Sequence, residues 1–386
     1  MNTPILPAIT LLAATILAAR GEQTVAQRLA ARDFPSVFMA WSPAEHTGDA
    51  DKRDTIARHD LMFSGPSDFG LRWSGNQFEG LAESFTTQSI ASARAVRAEL
   101  LKRNPNMILL AEIRYRDANR NYLPEDSPWW LRDGERKKKP GWEEGGYYLL
   151  DFHNPEFRAH IARRAAAAVK SGALDGVMFD WWHERPQDDA DARVELAKAV
   201  REAIGPDALI IVNSNHERVE RSAPFVNGLF MECYTTKSPD DWKKIGDTLR
   251  WAESSLRTPH INCCETWYHE SRRDLALMRA TTALALTMSD GFCLFSDPNP
   301  LPTPDHLHDW YDFWNRSLGH PLAAGRERED GTWERTFEHG IVIYNPAGGR
   351  TVTRSFERAM KSRATNQTGK QHEIQSGDGD IFLNVP

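Results

Sequence analysis

The sequence predicts an α/β protein: a (β/α)8 TIM barrel over residues 33–322, followed by a small antiparallel β domain over 330–386. Three observations carry that reading. Eight short apolar runs recur along the first three quarters of the chain, most of them followed by a helical segment. Those runs are continuous rather than alternating, as parallel strands covered on both faces are. Beyond Trp333 the helical segments stop, and short β-like runs separated by Gly, Pro and Asn take over. At 386 residues the chain has room for a barrel of roughly 250 residues and a small second domain.

Taken in order, residues 1–22 read as a secretory signal peptide. Their apolar run, Ile5 to Ala19, is too short to span a bilayer, although no basic residue precedes it. The expectation is a secreted or periplasmic protein. If the run is instead a buried helix, the protein stays in the cytoplasm. Val25–Ala31 is a short helix and Ser36–Trp41 the first strand. A helical turn at Thr55–Arg58 leads to His59–Phe63, the weakest strand candidate. A helix over Thr87–Lys102, stopped by Asn104-Pro105-Asn106, leads to the third strand, Met107–Glu112. Asn154 and Pro155 cap and open a helix running to about Lys170, before the fourth strand, Gly176–Phe179. The alternation continues with a helix at 191–204, strand Leu209–Asn213, a turn or short helix at 216–221 and strand Gly228–Glu232. Helix 239–255, strand His260–Cys264, helix 272–288, strand Gly291–Ser296 and a last helix over 303–317 complete the barrel. Phe337–Tyr344, Val352–Phe356 and Ile381–Val385 are the strands expected in the appendix.

Composition removes several classes of function. With 40% hydrophobic and 26% charged residues and a net charge of −7, the chain is neither disordered nor basic enough to suggest nucleic acid. The one cationic run, Arg136-Lys137-Lys138-Lys139, is flanked by acids and reads as a solvated loop. The four cysteines, Cys233, Cys263, Cys264 and Cys293, lie in or beside strands and read as buried free thiols. No H-E-x-x-H or comparable ligand spacing calls for a metal, and no cofactor is expected.

The chemistry is concentrated where strands end. In such a barrel the C-terminal strand ends share one mouth, so Glu112, Asp180, Glu232, Glu265 and Asp297 should converge there. Many strand-end acids only cap a helix or bind a backbone N–H, and for Glu265 and Asp297 taken singly the structural role is the favoured one. Asp180 stands out because GVMFD is followed at once by Trp181 and Trp182, flat apolar surface beside a carboxylate, which suits a sugar ring. Hydrolysing a glycosidic bond needs two carboxyl groups, one of them kept protonated by its surroundings. Five acids exceed that need, so the surplus ones would bind hydroxyls or pair with Arg114 or His183. The predicted carbohydrate contacts are Trp41, Asp60, Glu112, Arg114, Trp181, Trp182, Asn213, Glu265, Trp267 and Asp297. Residues 115–146 show no sustained period but contain Trp129, Trp130 and Trp142, which suggests a folded excursion over the mouth with at least one tryptophan in a sugar subsite.

The segment from DFHNPEFRAHIARRAA to GALDGVMFDWW, with FMAWS, RHDLMFS and the late FEHGIVIYNP, resembles hypothetical glycosyl hydrolase family fifteen, which is unrelated to glucoamylases. The likeness covers most of residues 35–386. The fourth-strand region is also similar to endo-α-1,4-polygalactosaminidases and to the α-amylase superfamily. The polygalactosaminidase-like pattern implies an Asp ending strand four as nucleophile, here Asp180, and a Glu ending strand six as acid/base, here Glu232. The chain departs from the α-amylase pattern at VNSN, where those enzymes carry their acid on strand five. Two functions follow as expectations: a retaining glycoside hydrolase of a poly- or oligosaccharide, or a carbohydrate-binding barrel that has lost catalysis.

Overall fold

The computed structural model describes residues 23–41, 51–75, 77–185, 187–298 and 306–385. The expected signal peptide lies outside the described residues. Eight parallel strands stand side by side in chain order: Phe38–Ala40, Leu61–Ser64, Ile108–Glu112, Gly176–Phe179, Leu209–Asn213, Gly228–Cys233, Cys263–Trp267 and Phe292–Ser296. A parallel bridge from Val37 to Cys293 joins the last strand to the first and closes the barrel. Even the weakest candidate, the second strand, is present. Phe38, Phe63 and Phe230 meet inside with ring centroids 5.0 to 6.0 Å apart, and Trp41 lies over them. The interior is therefore a packed core. In the eight strands every residue is buried except Glu232 and Trp267. This explains both the unbroken apolar runs and where the exceptions must look.

The helices form as their caps dictate. Asn154 Oδ1 accepts from the N–H of Glu156 and Phe157 ahead of helix Pro155–Lys170. Ser238 and Asp241 make a capping box for Pro239–Ser255. At the closed end Asp175, just before strand four, is buried against the guanidinium groups of Arg28 and Arg97 and accepts from the N–H of Leu109. The short helix Val25–Ala31 is thereby fastened under the barrel. All four cysteines are free and buried.

Two expectations about the barrel are corrected. Strand seven runs three residues later than predicted, because Pro259 has no N–H and the Asn262 side chain takes the N–H of Leu229. Glu265 consequently sits inside the strand rather than at its end. The helix expected over 303–317 does not form in the part described: residues 306–317 are turns plus a short 3-10 helix, Asp312–Trp314. Apolar side chains there are buried without helical periodicity, with Trp314 anchored by Nε1 donating to Thr282.

The excursion after strand three is folded, as its tryptophans suggested. Asp117–Asn119 pairs antiparallel with Tyr147–Leu149, and the chain between them arches over the mouth. The C-terminal unit is a six-stranded antiparallel sheet from Arg326 to Asn384. Phe337 to Tyr344 is not one strand but part of a hairpin, Trp333–Phe337 paired with Gly340–Asn345 around Glu338 and His339. This sheet packs on the last barrel helix, Leu275–Met288. Arg279 pairs there with Asp378 at 2.6 Å, and a Cβ on Gly379 would come within 2.2 Å of Ala283. Among the described residues no helix is long and apolar enough to cross a membrane.

Candidate active site

A cleft of about 660 Å³ opens at the C-terminal ends of the strands. At its base Asp180 follows strand four, Asn213 ends strand five and Glu232 points out of strand six. One nitrogen joins them: Asn213 Nδ2 donates to Asp180 Oδ1 at 2.7 Å and to Glu232 Oε2 at 3.0 Å. Those two acceptor oxygens can be no more than 5.7 Å apart, the length of the two bonds laid end to end. The geometry follows from the fold, since neighbouring parallel strands carry their last residues side by side.

Negative charge is dense here. Burial, then Glu112 and Glu232, push the Asp180 carboxyl up to about 7, against the opposing influence of Asn213 and Arg114. Glu112, almost wholly buried, accepts from Trp41 Nε1 at 2.8 Å and lies 3.4 Å from the Arg114 guanidinium. Burial opposes the charge on Arg114, but Glu112, Asp180 and Asp117 outweigh it and raise its pKa. Near neutral pH the ligand-free Asp180 carboxyl is therefore poised between its protonated and ionised forms.

The walls are held in unusual backbone conformations. Six non-glycine residues among those described have positive φ, and four of them, Trp41, Trp181, Asn215 and His306, line the cleft. Left-handed backbone in bulky residues persists only where surroundings over-determine it. For Trp181 the surroundings are visible: its carbonyl accepts from Tyr115 Oη at 2.9 Å and from Arg193 at 3.2 Å, and its ring faces the Arg116 guanidinium at 4.4 Å. Its 39% exposure leaves a flat face open to a ligand.

Of the predicted residues, Asp180, Glu232, Trp41, Arg114, Trp181, Asn213 and Trp267 line the cleft, with Glu112 directly behind Trp41. Four do not. Asp60 precedes strand two, at the opposite end of the barrel, where it accepts from the Val37 N–H and pairs with Arg316. Trp182 is fully buried, with Nε1 donating to Ser222 and its ring beside Phe179 and Tyr115. Asp297 is paired with Arg272 at 3.0 Å away from the cleft. Glu265 has no exposed surface; Ser296 Oγ donates to its Oε1, and His306 Nδ1 bonds the same oxygen at 2.7 Å. Of the three loop tryptophans, Trp142 lines the cleft; Trp130 is buried, its Nε1 donating to the Pro124 carbonyl, and Trp129 packs on Phe157 and His160.

Several lining residues were not singled out by sequence as contacts: Asp117, Glu144, His183, Tyr234 and His306. Tyr234 could have been found, since it stands two positions after Glu232 and so leaves the strand on the same face. His306 could not, because it lies in the segment read as a helix. Among the described residues one group, Glu232, Glu265 and His306, brings one potential metal-ligand atom from each residue within 4.8 Å of the others. The oxygen of Glu265 that His306 uses is already shared with Ser296.

With the geometry in place, comparison with known proteins decides the family. The profile described as hypothetical glycosyl hydrolase family 15 matches residues 105–341, more than half of the chain and the whole acid-bearing arc from strand three to strand eight. The chain belongs to hypothetical glycosyl hydrolase family 15. This family member is a glycoside hydrolase on a TIM barrel. Among solved structures it is similar to a noncanonic maltogenic α-amylase from Thermotoga neapolitana, at 11% identity and a TM-score of 0.53, over 92% of this chain and 100% of that one. An α-amylase from Malbranchea cinnamomea matches at 11% identity and 0.53, over 94% and 97%. A cyclomaltodextrinase matches at 12% identity and 0.56, over 93% and 79%. At such identities these likenesses concern the fold. No curated protein sequence matches this chain.

Proposed function

We propose that this glycoside hydrolase cleaves a poly- or oligosaccharide with retention of configuration, with Asp180 as nucleophile and Glu232 as acid/base. The observation that supports the pair most directly is the shared Asn213 nitrogen, which holds one oxygen of each acid within 5.7 Å of the other, a separation compatible with the roughly 5 to 5.5 Å between the carboxyl groups of retaining enzymes. In the first step an Asp180 oxygen bonds to the anomeric carbon while the bond to the leaving oxygen breaks and Glu232 delivers its proton to that oxygen. In the second, water attacks the same carbon, gives a proton to Glu232 and frees the Asp180 carboxylate. Asn213 donates to either carboxyl, so the proton can settle on one acid or the other, and the productive state is the one with Glu232 protonated. Trp142, Trp181, Tyr234 and Trp267 supply aromatic surface around the pair.

The test is turnover by the purified protein on soluble starch, pullulan, dextran, β-glucan and chitosan, with binding measured on the same five polymers. Release of reducing ends from one of them, lost in Asp180→Asn, is the expected result. Binding with no turnover at any pH would overturn the catalytic reading and leave a carbohydrate-binding barrel. Export, which we infer from the run Ile5 to Ala19, is checked by N-terminal sequencing of the protein recovered outside the cytoplasm.

A further inference from the structure

Glu265 presents a puzzle that the two-acid mechanism does not absorb. It is a carboxyl group with no exposed surface, in the middle of barrel strand seven, and one of its oxygens, Oε2, is buried without a hydrogen-bond partner. Burying an acid this deeply is costly unless it is paired and hydrogen-bonded. Both bonds to its other oxygen come from groups near the mouth, the Ser296 hydroxyl and His306 Nδ1.

His306 is held from several sides. Its ring stacks on Trp41 at 5.0 Å and 28°, and the edge of Phe230 meets it at 5.7 Å. Its carbonyl accepts from His308 Nδ1 at 2.8 Å. Its backbone is left-handed, with φ of 55°. His306 is only 1% exposed, yet it forms part of the cleft lining, with a potential ligand atom within 4.8 Å of one on Glu232. A carboxylate bonded to one imidazole nitrogen fixes the ring's orientation and tautomer and so decides what the other nitrogen offers.

We propose that Glu265 and His306 work as one unit, in which the buried carboxylate never meets the sugar and positions the imidazole that does, beside Glu232. The proposal rests on the hydrolase reading above. It makes Glu265 a positioning residue and His306 a contact of the reacting sugar, the role sequence had given to Glu265 itself.

Two measurements on the full chain test this. In nitrogen-15 histidine spectra of the ligand-free protein, the His306 Nδ1–H, assigned by its absence in His306→Gln, should be protected from exchange. Protection should be lost in Glu265→Gln and kept in Asp180→Asn. Should Glu265→Gln fail to fold, Ser296→Ala, which removes the other donor to the same oxygen, should shift that resonance. A signal indifferent to these changes overturns the unit. In kinetics on the polymer the panel selects, His306→Gln and Glu265→Gln should each lower kcat roughly tenfold or more with little change in KM, and the double variant should be no worse than His306→Gln alone. Multiplicative losses, or full activity in Glu265→Gln, would also overturn it. If the wild type turns over none of the five polymers, the hydrolase reading fails by itself, and the histidine spectrum still decides whether the unit exists.

Discussion

Asn213 Nδ2 reaches Asp180 at 2.7 Å and Glu232 at 3.0 Å, so a single amide arbitrates between two acids. Its bond to Asp180 lowers that pKa, whereas Glu112 raises it. The two neighbours therefore move the acid limb of kcat/KM in opposite directions. From a starting point near 7, Asn213→Ala should move the limb to higher pH and Glu112→Gln to lower pH. A pH profile of the three proteins checks this, and a common shift in both variants would contradict the assignment of Asp180 to that limb.

The two acids should fail differently. Asp180→Asn should abolish turnover on every substrate. Glu232→Gln should cost about 10²- to 10⁴-fold on a natural polysaccharide, the usual worth of general acid–base help, and much less on an aryl glycoside, whose leaving group needs little protonation. Asp180→Asn should also be the more heat-stable protein at pH 8. A folded-state pKa raised to about 7, against about 3.9 in the unfolded chain, means that burying Asp180 costs stability, a loss that accumulates as pH rises from about 4 to about 7 and is complete above it, whereas asparagine is never ionised. Melting curves at pH 4 and pH 8 should show the gain at the higher pH and little of it at the lower.

Trp142 and Trp130 come from the same loop but should give opposite phenotypes. Trp142→Ala removes a stacking surface worth on the order of 1 kcal/mol, roughly fivefold in KM for long substrates, with short substrates and the melting temperature little changed. Trp130 is buried, so Trp130→Ala should destabilise the fold by about 3 to 5 kcal/mol. Urea unfolding alongside chain-length kinetics separates the two.

The barrel also has an acid-labile seam. His59 Nε2 lies 2.9 Å from His308 Nε2, and both rings are fully buried. Burial foremost, with the neighbouring imidazole adding to it, holds His59 well below 6.5, and burial brings His308 down to about 4. In the folded protein both stay neutral while in the unfolded chain they take up protons below about 6.5. Stability is therefore complete above that pH and should decline as pH falls from 6.5 toward 4. A melting temperature that drops over this interval in the wild type, and drops less in the His59→Gln, His308→Gln double variant, is the expected result.

What could be read from the sequence was what repeats. A strand buried on both faces leaves an unbroken apolar run, so the eight strands were visible, as were Asp180 and Glu232 at their ends. Side-chain direction was harder. Trp181 and Trp182 are adjacent, yet one lies open in the cleft and the other is core, because the left-handed turn at Trp181 rotates the chain between them. Asp60 was misplaced because it stands at the beginning of its strand and so at the wrong end of the barrel. Glu265 was misread by a three-residue slip whose cause, the Asn262 side chain accepting the N–H of Leu229, depends on the neighbouring strand six and has no local signature. His306 was invisible for the same kind of reason: its place depends on Glu265 and Trp41, far away in sequence.

The four left-handed residues around the cleft have a bearing on how this protein can be engineered. Each such conformation in a bulky residue costs roughly 1 to 3 kcal/mol, and that cost is met by the packed barrel below. Glycine would relieve that backbone strain at the half-exposed Trp181 and at Asn215, whereas at Trp41 and His306 it would also give up ring packing and the bonds to Glu112 and Glu265. Any such gain would be taken from the surfaces proposed to meet the sugar. Robustness and turnover are in direct competition at these positions, and a hardened variant of this enzyme is best sought in its outer helices and C-terminal sheet.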